Sequence, residues 1–139
     1  MNGYIPPAYQ APRRPQYRLR LTVSEHSARH IRAIARSLLG EWEMGELTDA
    51  VELGVTELVS NVVRHVPDRR CEVLILRQMA GVRVEVTDGA DQLPSPSCDH
   101  PPDAETGRGL LLLGAVTEKW GVARCAAGGK TVWFECGAS

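Results

Sequence analysis

The sequence has almost no net charge, because 16 Lys and Arg nearly cancel 17 Asp and Glu to leave −1. That balance removes any electrostatic basis for binding nucleic acid or an anionic membrane directly. The short basic cluster at Arg13, Arg14, Arg18 and Arg20 is interleaved with prolines and reads as a solvated tail. No apolar run reaches the roughly 18 residues that cross a bilayer. The segment Met1–Gln16 lacks an apolar core, so it is not a secretory signal. Cys71, Cys98, Cys125 and Cys136 form no CxxC pair and have no histidines at zinc spacing. They read as buried or idle thiols of a reducing cytosol, so the expected location is cytoplasmic. Internal repeats are missing too.

What is present suits one domain. The chain has 139 residues, 43% of them apolar and 24% charged, enough to bury a core without disulfide or metal staples. Residues 1–16, with Pro6, Pro7, Pro12 and Pro15, read as a flexible arm. Residues 17–136 read as the folded domain, and 137–139 as a tail. Tyr17 to Val23 alternates with period two, a half-buried strand. Ser24 is placed to cap a helix over Glu25 to Leu39, which Gly40 would help end. A second helix is expected from about Glu46 or Thr48 to Val66, ahead of Pro67, with Leu47, Val51, Val55, Leu58, Val59 and Val62 on its apolar face. Glu72–Gln78 and Val82–Thr87, joined at Ala80-Gly81, predict a hairpin.

Gly89 to Thr106, with Pro94, Pro96, Pro101 and Pro102, has the composition of a long lid-like loop. A short helix is expected over Gly107–Thr117. Strands over Glu118–Arg124 and Thr131–Cys136 then close the chain around a turn at Ala126–Gly129. This order predicts an α+β fold, a two-layer α/β sandwich. Its mixed, mostly antiparallel sheet would be covered on one face by about three helices.

Four places could carry chemistry, and each has a plainer reading beside it. Glu57, Asn61 and His65 are spaced four apart and share one helix face. They are either a solvated stripe or a polar face turned to a ligand, where an Asn oxygen suits Mg²⁺ and a Glu suits a general base. Asp88, closing a strand before Gly89, is either a turn former or an acceptor for an exocyclic amine such as N6 of adenine. Thr106-Gly107-Arg108-Gly109-Leu110 ahead of an apolar run is either a hinge or a helix start whose free N–H groups face an anion. It is not a Walker loop, since no GK[ST] is present, and no strand leads into it as a dinucleotide fingerprint would need. Gly128-Gly129-Lys130-Thr131 is a structural turn, or it adds the Thr131 hydroxyl to a purine pocket.

The order and spacing of these segments, over about residues 17 to 136, resemble the GHKL ATPases, and among them the small anti-sigma factor serine kinases. Glu57-Leu58-Val59-Ser60-Asn61-Val62-Val63-Arg64-His65 resembles the N box of that family. Val86-Thr87-Asp88-Gly89 resembles its G1 box, and Gly107-Arg108-Gly109-Leu110 its G2 box. Gly129-Lys130-Thr131-Val132-Trp133 resembles its closing strand. The chain departs from the family at G1, where Asp-x-Gly-x-Gly is replaced by Asp88-Gly89-Ala90-Asp91-Gln92. Ala90 adds a methyl beside the purine seat, and Asp91 adds negative charge near a polyanion.

The resemblance implies the Bergerat fold, ATP and Mg²⁺ as ligands, and a distribution of roles. Asn61 would hold Mg²⁺ and Glu57 would act as general base. Asp88, followed by Gly89 and with Thr131 nearby, would bind the adenine amine. Thr106, Gly107, Arg108, Gly109 and Leu110 would cradle the phosphates, with residues 90–106 as the lid and Arg64 and His65 on the phosphate side. The implied partners are a sigma factor and a STAS-type anti-sigma factor antagonist whose serine is phosphorylated. Related proteins are often homodimers. The chain shows neither a histidine-bearing dimerisation helix pair nor a transducer domain, which favours a stand-alone kinase. The altered G1 box leaves an alternative: a regulatory module that binds nucleotide or partner and transfers nothing.

Overall fold

Strand β1 (Gln16–Thr22) opens the folded part of the chain in a computed structural model that describes residues 15–90, 117 and 119–137. Helix α1 (Ser27–Glu41), a 3-10 turn (Gly45–Leu47) and helix α2 (Thr48–His65) follow. The hairpin β2 (Arg70–Gln78) and β3 (Gly81–Asp88) comes next, and then β4 (Lys119–Arg124) and β5 (Lys130–Gly137). The five strands form one sheet in the order β1-β2-β3-β5-β4. Every pairing among the described residues is antiparallel, so the mixed sheet expected from the sequence is more regular than that. The arm up to residue 14, the lid from residue 91, and all but Thr117 of the expected Gly107–Thr117 helix lie outside the described residues.

Alternation along the strands decides which side is core. In β3, Val82, Val84, Val86 and Asp88 are buried while Arg83, Glu85 and Thr87 are half-buried on the other face. In β5 the buried set is Lys130, Val132, Phe134 and Cys136. Ile31, Ala35, Leu38 and Leu39 of α1 join Val51, Val55, Leu58, Val59 and Val62 of α2 in the same apolar cluster. Helix α2 packs on β3 and β5, and α1 packs beside α2. The opposite face of the sheet carries ion pairs both across and along the strands. Glu72 accepts from Arg18 and Arg20, at 2.6 and 2.7 Å. Arg83 reaches Glu85 and Glu135 at 2.7 and 2.8 Å and lies 4.0 Å from the Trp133 ring centroid.

Helix α1 departs from its expected bounds at both ends. It begins at Ser27, because the Ser24 Oγ accepts from the His26 N–H at 3.3 Å and the Ser27 Oγ accepts from the Ser24 N–H at 2.9 Å. This closes a serine turn at Ser24 ahead of the helix, instead of a Ser24 cap on a helix that starts at Glu25. At the other end the helix runs through Gly40 to Glu41. Glu43, not Gly40, takes the left-handed conformation, with φ 58. Glu43 N–H donates to the Gly40 carbonyl at 3.2 Å and Met44 N–H to the Leu39 carbonyl at 2.8 Å, a Schellman pattern. The buried side chains of Trp42 and Met44 flank the turn. No helix among the described residues is long and apolar enough to cross a membrane.

The helix-to-sheet distance is set at Gly54. A Cβ there would lie 2.5 Å from Cζ of Phe134. Helix α2 is rich in β-branched residues that are modest helix formers, so burial against the sheet rather than propensity holds it. An exposed helical Gly→Ala change normally stabilises by about 1 kcal/mol. At Gly54 the sign reverses: Gly54→Ala should lower stability by about 1–3 kcal/mol in urea unfolding, and Phe134→Leu on the same chain should restore part of the loss.

Candidate functional site

The connection between α2 and β2 brings the polar residues to one end of the sheet. Val66 N–H bonds back to the Val62 carbonyl at 3.0 Å, and Arg69 N–H bonds to the Val66 carbonyl at 2.9 Å. Arg69 takes φ 55, and the Asp68 Oδ1 accepts from the Arg70 N–H at 2.9 Å. The chain therefore turns at once from the end of α2 into β2. Cys71, near the start of β2, pairs with Asp88, and Asp88 pairs with Lys130. The C-terminal end of α2 thus belongs to the Asp88 end of the sheet. Gly54 sits against Phe134, and Asn61 is two turns further, about 10.5 Å along the helix. Lys130 is four residues up the strand from Phe134, about 13 Å on the same face.

Three polar side chains are buried there. Asn61 is 9% exposed, Asp88 6% and Lys130 4%, and no other polar or charged residue among the described ones is as deeply buried. The Lys130 Nζ donates to the Asp88 Oδ1 at 2.9 Å. The Ala90 N–H donates to the same oxygen at 2.8 Å, closing an Asx turn over Gly89. Gly129 permits the approach of the two strands, with φ 85 and room for no Cβ: one would fall 2.1 Å from the Asp88 carbonyl oxygen. The Asn61 Nδ2 is buried with no hydrogen-bond partner among the described residues. An unmet donor in an interior costs about 1–3 kcal/mol, so its retention points to a group that completes it.

The remaining sequence candidates are distributed around this cluster. Glu57, one turn before Asn61, is half-buried, and Arg64 and His65 are exposed in the last turn of α2. Gly89 is exposed beside Asp88. Thr131 does not join Asp88. Strand parity puts it on the open face, where its hydroxyl lies 2.7 Å from the Thr87 hydroxyl and 3.6 Å from the Cys125 Sγ. The side chain of β5 that meets Asp88 is Lys130, which the sequence reading passed over as part of a glycine turn. Counting back by twos from Phe134 and Val132 would have found it, as a lysine in a core register. Thr106, Gly107, Arg108, Gly109 and Leu110 lie outside the described residues.

One cavity touches the cluster at Asp88, and a second lies in the helix layer with none of the three in its lining. The first, of about 480 Å³, runs past Arg20, Thr22, Arg70, Thr87 and Gly89 to Asp88. Its side-chain lining belongs mostly to the open face. The other, about 280 Å³, lies between Ser24, Glu25 and Ala28 at the start of α1 and Ser60 and Arg64 of α2. No cluster of three or more His, Cys, Asp or Glu that could hold a metal occurs among the described residues. The residues present nevertheless fit an Mg²⁺–nucleotide: the Asn61 carboxamide oxygen suits a cation that keeps most of its water and takes further oxygens from phosphates, and the unmet Nδ2 donor suits an acceptor oxygen of the same ligand. Burial, reinforced by the charge of Asp88, pushes the Cys71 thiol up to about 11.

The buried amide, carboxylate and ammonium thus lie at one end of the seam between the helix layer and the sheet. The histidine kinase-like ATPase domain family matches residues 21–136, and the chain belongs to that family. Among solved structures it is similar to the RsbU and RsbW domains of Rv1364c from Mycobacterium tuberculosis, with TM-score 0.61 and 21% identity. That match covers 90% of this chain and 33% of the other, and at this identity it speaks for the fold. No curated protein matches the sequence.

Two outcomes follow from the burial. Asn61→Leu, which removes the orphan amide at similar volume, should raise the urea midpoint of the ligand-free protein by the equivalent of about 1 kcal/mol. A loss of stability would mean that the amide is already satisfied. Cys71 should resist alkylation at pH 8 in the native state while half-buried Cys125 reacts, as read by mass spectrometry. Because the folded thiol of Cys71 titrates higher than the unfolded one, its contribution is complete below pH 9.0. It is lost as pH rises towards about 11.

Proposed function

We propose that the chain is an ATP-binding protein serine kinase that phosphorylates a STAS-type anti-sigma factor antagonist and, in its other state, holds a sigma factor inactive in the cytoplasm. The carrying observation is the buried Asn61 amide with an unmet donor, one helical turn from Glu57. Family membership supports the nucleotide, and the pairing of Glu and Asn in one helix supports transfer. The partners rest on the resemblance of the sequence to anti-sigma factor kinases.

In this reading Asp88 accepts from the adenine amine. Thr106, Gly107, Arg108, Gly109 and Leu110 receive the phosphates, with Arg64 and His65 on that side. Asn61 would hold Mg²⁺, which supplies charge neutralisation for the phosphates. Glu57 takes the proton of the attacking serine hydroxyl while the serine oxygen bonds the γ-phosphorus and the bond to the β–γ bridging oxygen breaks, releasing ADP. The phosphoserine adds about −1.5 to −2 charges to the antagonist, enough to break an apposed interface. Thr131, on the open face, has no part in the purine contact.

One observation favours a second reading, binding without transfer: Asp88 already holds Lys130 and the Ala90 N–H, within a G1 box that lacks its downstream glycines.

Millimolar Mg-ATP should raise the unfolding temperature of the wild type, since a ligand of the native state stabilises by mass action. Glu57→Ala should keep that shift and lose phosphoserine formation on a purified STAS-domain antagonist with γ-labelled ATP. Wild-type binding with no phosphoserine would establish the module instead, and no thermal shift at all would remove the nucleotide from the account.

A further inference from the structure

Lys130 is a buried cation inside a site whose expected ligand meets it through a base rather than a phosphate. Its ammonium has three donors. Among the described residues one goes to the Asp88 Oδ1 at 2.9 Å, and a second points to the Ala90 carbonyl at a long 3.5 Å. The third has no acceptor among the described residues. Asp88 is asymmetric in the same sense: both of its hydrogen bonds among the described residues fall on Oδ1, and Oδ2 accepts none. The side chains of Lys130 and Asp88 are 5% and 3% exposed, so water does not compete freely for either group. The pair therefore offers one acceptor and one charged donor side by side. Neither group can swing away cheaply, since parting them leaves an isolated charge in the interior.

Adenine presents the complementary edge: the N6 amine donates and, next to it, the N1 ring nitrogen accepts. We propose that Lys130 is a base-reading residue of the nucleotide site, donating from Nζ to N1 of adenine while the Asp88 Oδ2 accepts from N6. The inference rests on the nucleotide reading above and extends it to a residue that no motif singled out. The Asx turn made by Ala90 N–H holds the Asp88 Oδ1 towards the protein and leaves Oδ2 for the base. Thr131, whose hydroxyl is taken up by Thr87 on the opposite face, is not needed for N1.

The test removes one atom from each side of the contact. Binding of ATP and of 1-deaza-ATP, which carries C–H in place of N1, is measured by calorimetry with Mg²⁺ for wild type, Lys130→Met and Lys130→Gln. A hydrogen bond to a charged donor predicts that wild type prefers ATP by about tenfold to a hundredfold. Lys130→Met should bind both ligands with the same affinity, and Lys130→Gln, which keeps a neutral N–H, should fall between. Equal affinities in wild type, or a preference undiminished in Lys130→Met, would overturn the assignment while leaving nucleotide binding intact. Failure of wild type to bind ATP would overturn the nucleotide reading itself, and this inference with it. Should Lys130→Met not fold, the nitrogen NMR signal of the Lys130 ammonium in wild type decides: it should move with ATP and stay with 1-deaza-ATP, and the same movement with both ligands would overturn the proposal.

Discussion

The seating of α2 on the sheet is the constraint on which the rest depends. The helix is built from valines that contribute little helical propensity, and Gly54 lets it settle directly on the ring of Phe134. A spacing that tight fixes the height and the phase of the helix. From Gly54 the phase carries two turns to Asn61, and from Phe134 the strand carries the same face to Lys130 and, across the ladder, to Asp88. Apolar packing at one end of the seam therefore determines which polar groups are buried at the other. A methylene inserted at Gly54 would act on the site through distance alone, without touching a polar atom.

The polar end is costly for the protein that carries it. A buried ion pair is seldom more stable than a well-packed apolar pair of the same volume, and losing one partner costs about 3–5 kcal/mol. The unmet amide of Asn61 adds a further penalty. Strain of this kind collects where a ligand relieves it, and it stands out against a core that is otherwise Val, Ile, Leu, Ala and Phe. The open face of the sheet follows a different economy. Its arginines and glutamates pair across and along strands in partial contact with water, where each pair contributes modestly and none is committed to the interior.

Most of the fold was legible because its signals are local. Period-two alternation located the strands to within a residue or two, and helical spacing with Pro67 located α2. What was not legible was decided by atoms outside the local window. Gly40 looked like a helix terminator, but the Schellman turn forms three residues on, at Glu43, where Trp42 and Met44 are drawn into the core. In the site, Asn61 and Asp88 were named from spacing and resemblance. Whether Asn61 was a solvated stripe residue could not be read from its four-residue spacing with Glu57 and His65. The three differ in burial although they share a face: Glu57 is half-buried, Asn61 is buried, and His65 is exposed at the last residue of the helix.

Thr131 and Lys130 show how a single register step exchanges one chemistry for another. The residues by themselves left the segment as a structural turn or a hydroxyl for a purine pocket, and the family resemblance pointed to the threonine. A strand has two faces, however, and a shift of one residue moves every side chain to the other one. Val132 and Phe134 face the helices, so Lys130 must face them too, and Thr131 must face Thr87. A hydroxyl would have offered the pocket a neutral group that both donates and accepts. The lysine offers fixed positive charge with donors only, and it can be buried only because Asp88 lies across the ladder to neutralise it. The carboxylate proposed to accept from the base is thus also the counterion that keeps the strand's first core residue folded. In this site the recognition of a ligand and the stability of the sheet end cannot be altered separately at Asp88, whereas at Asn61, which has no such second duty among the described residues, they can.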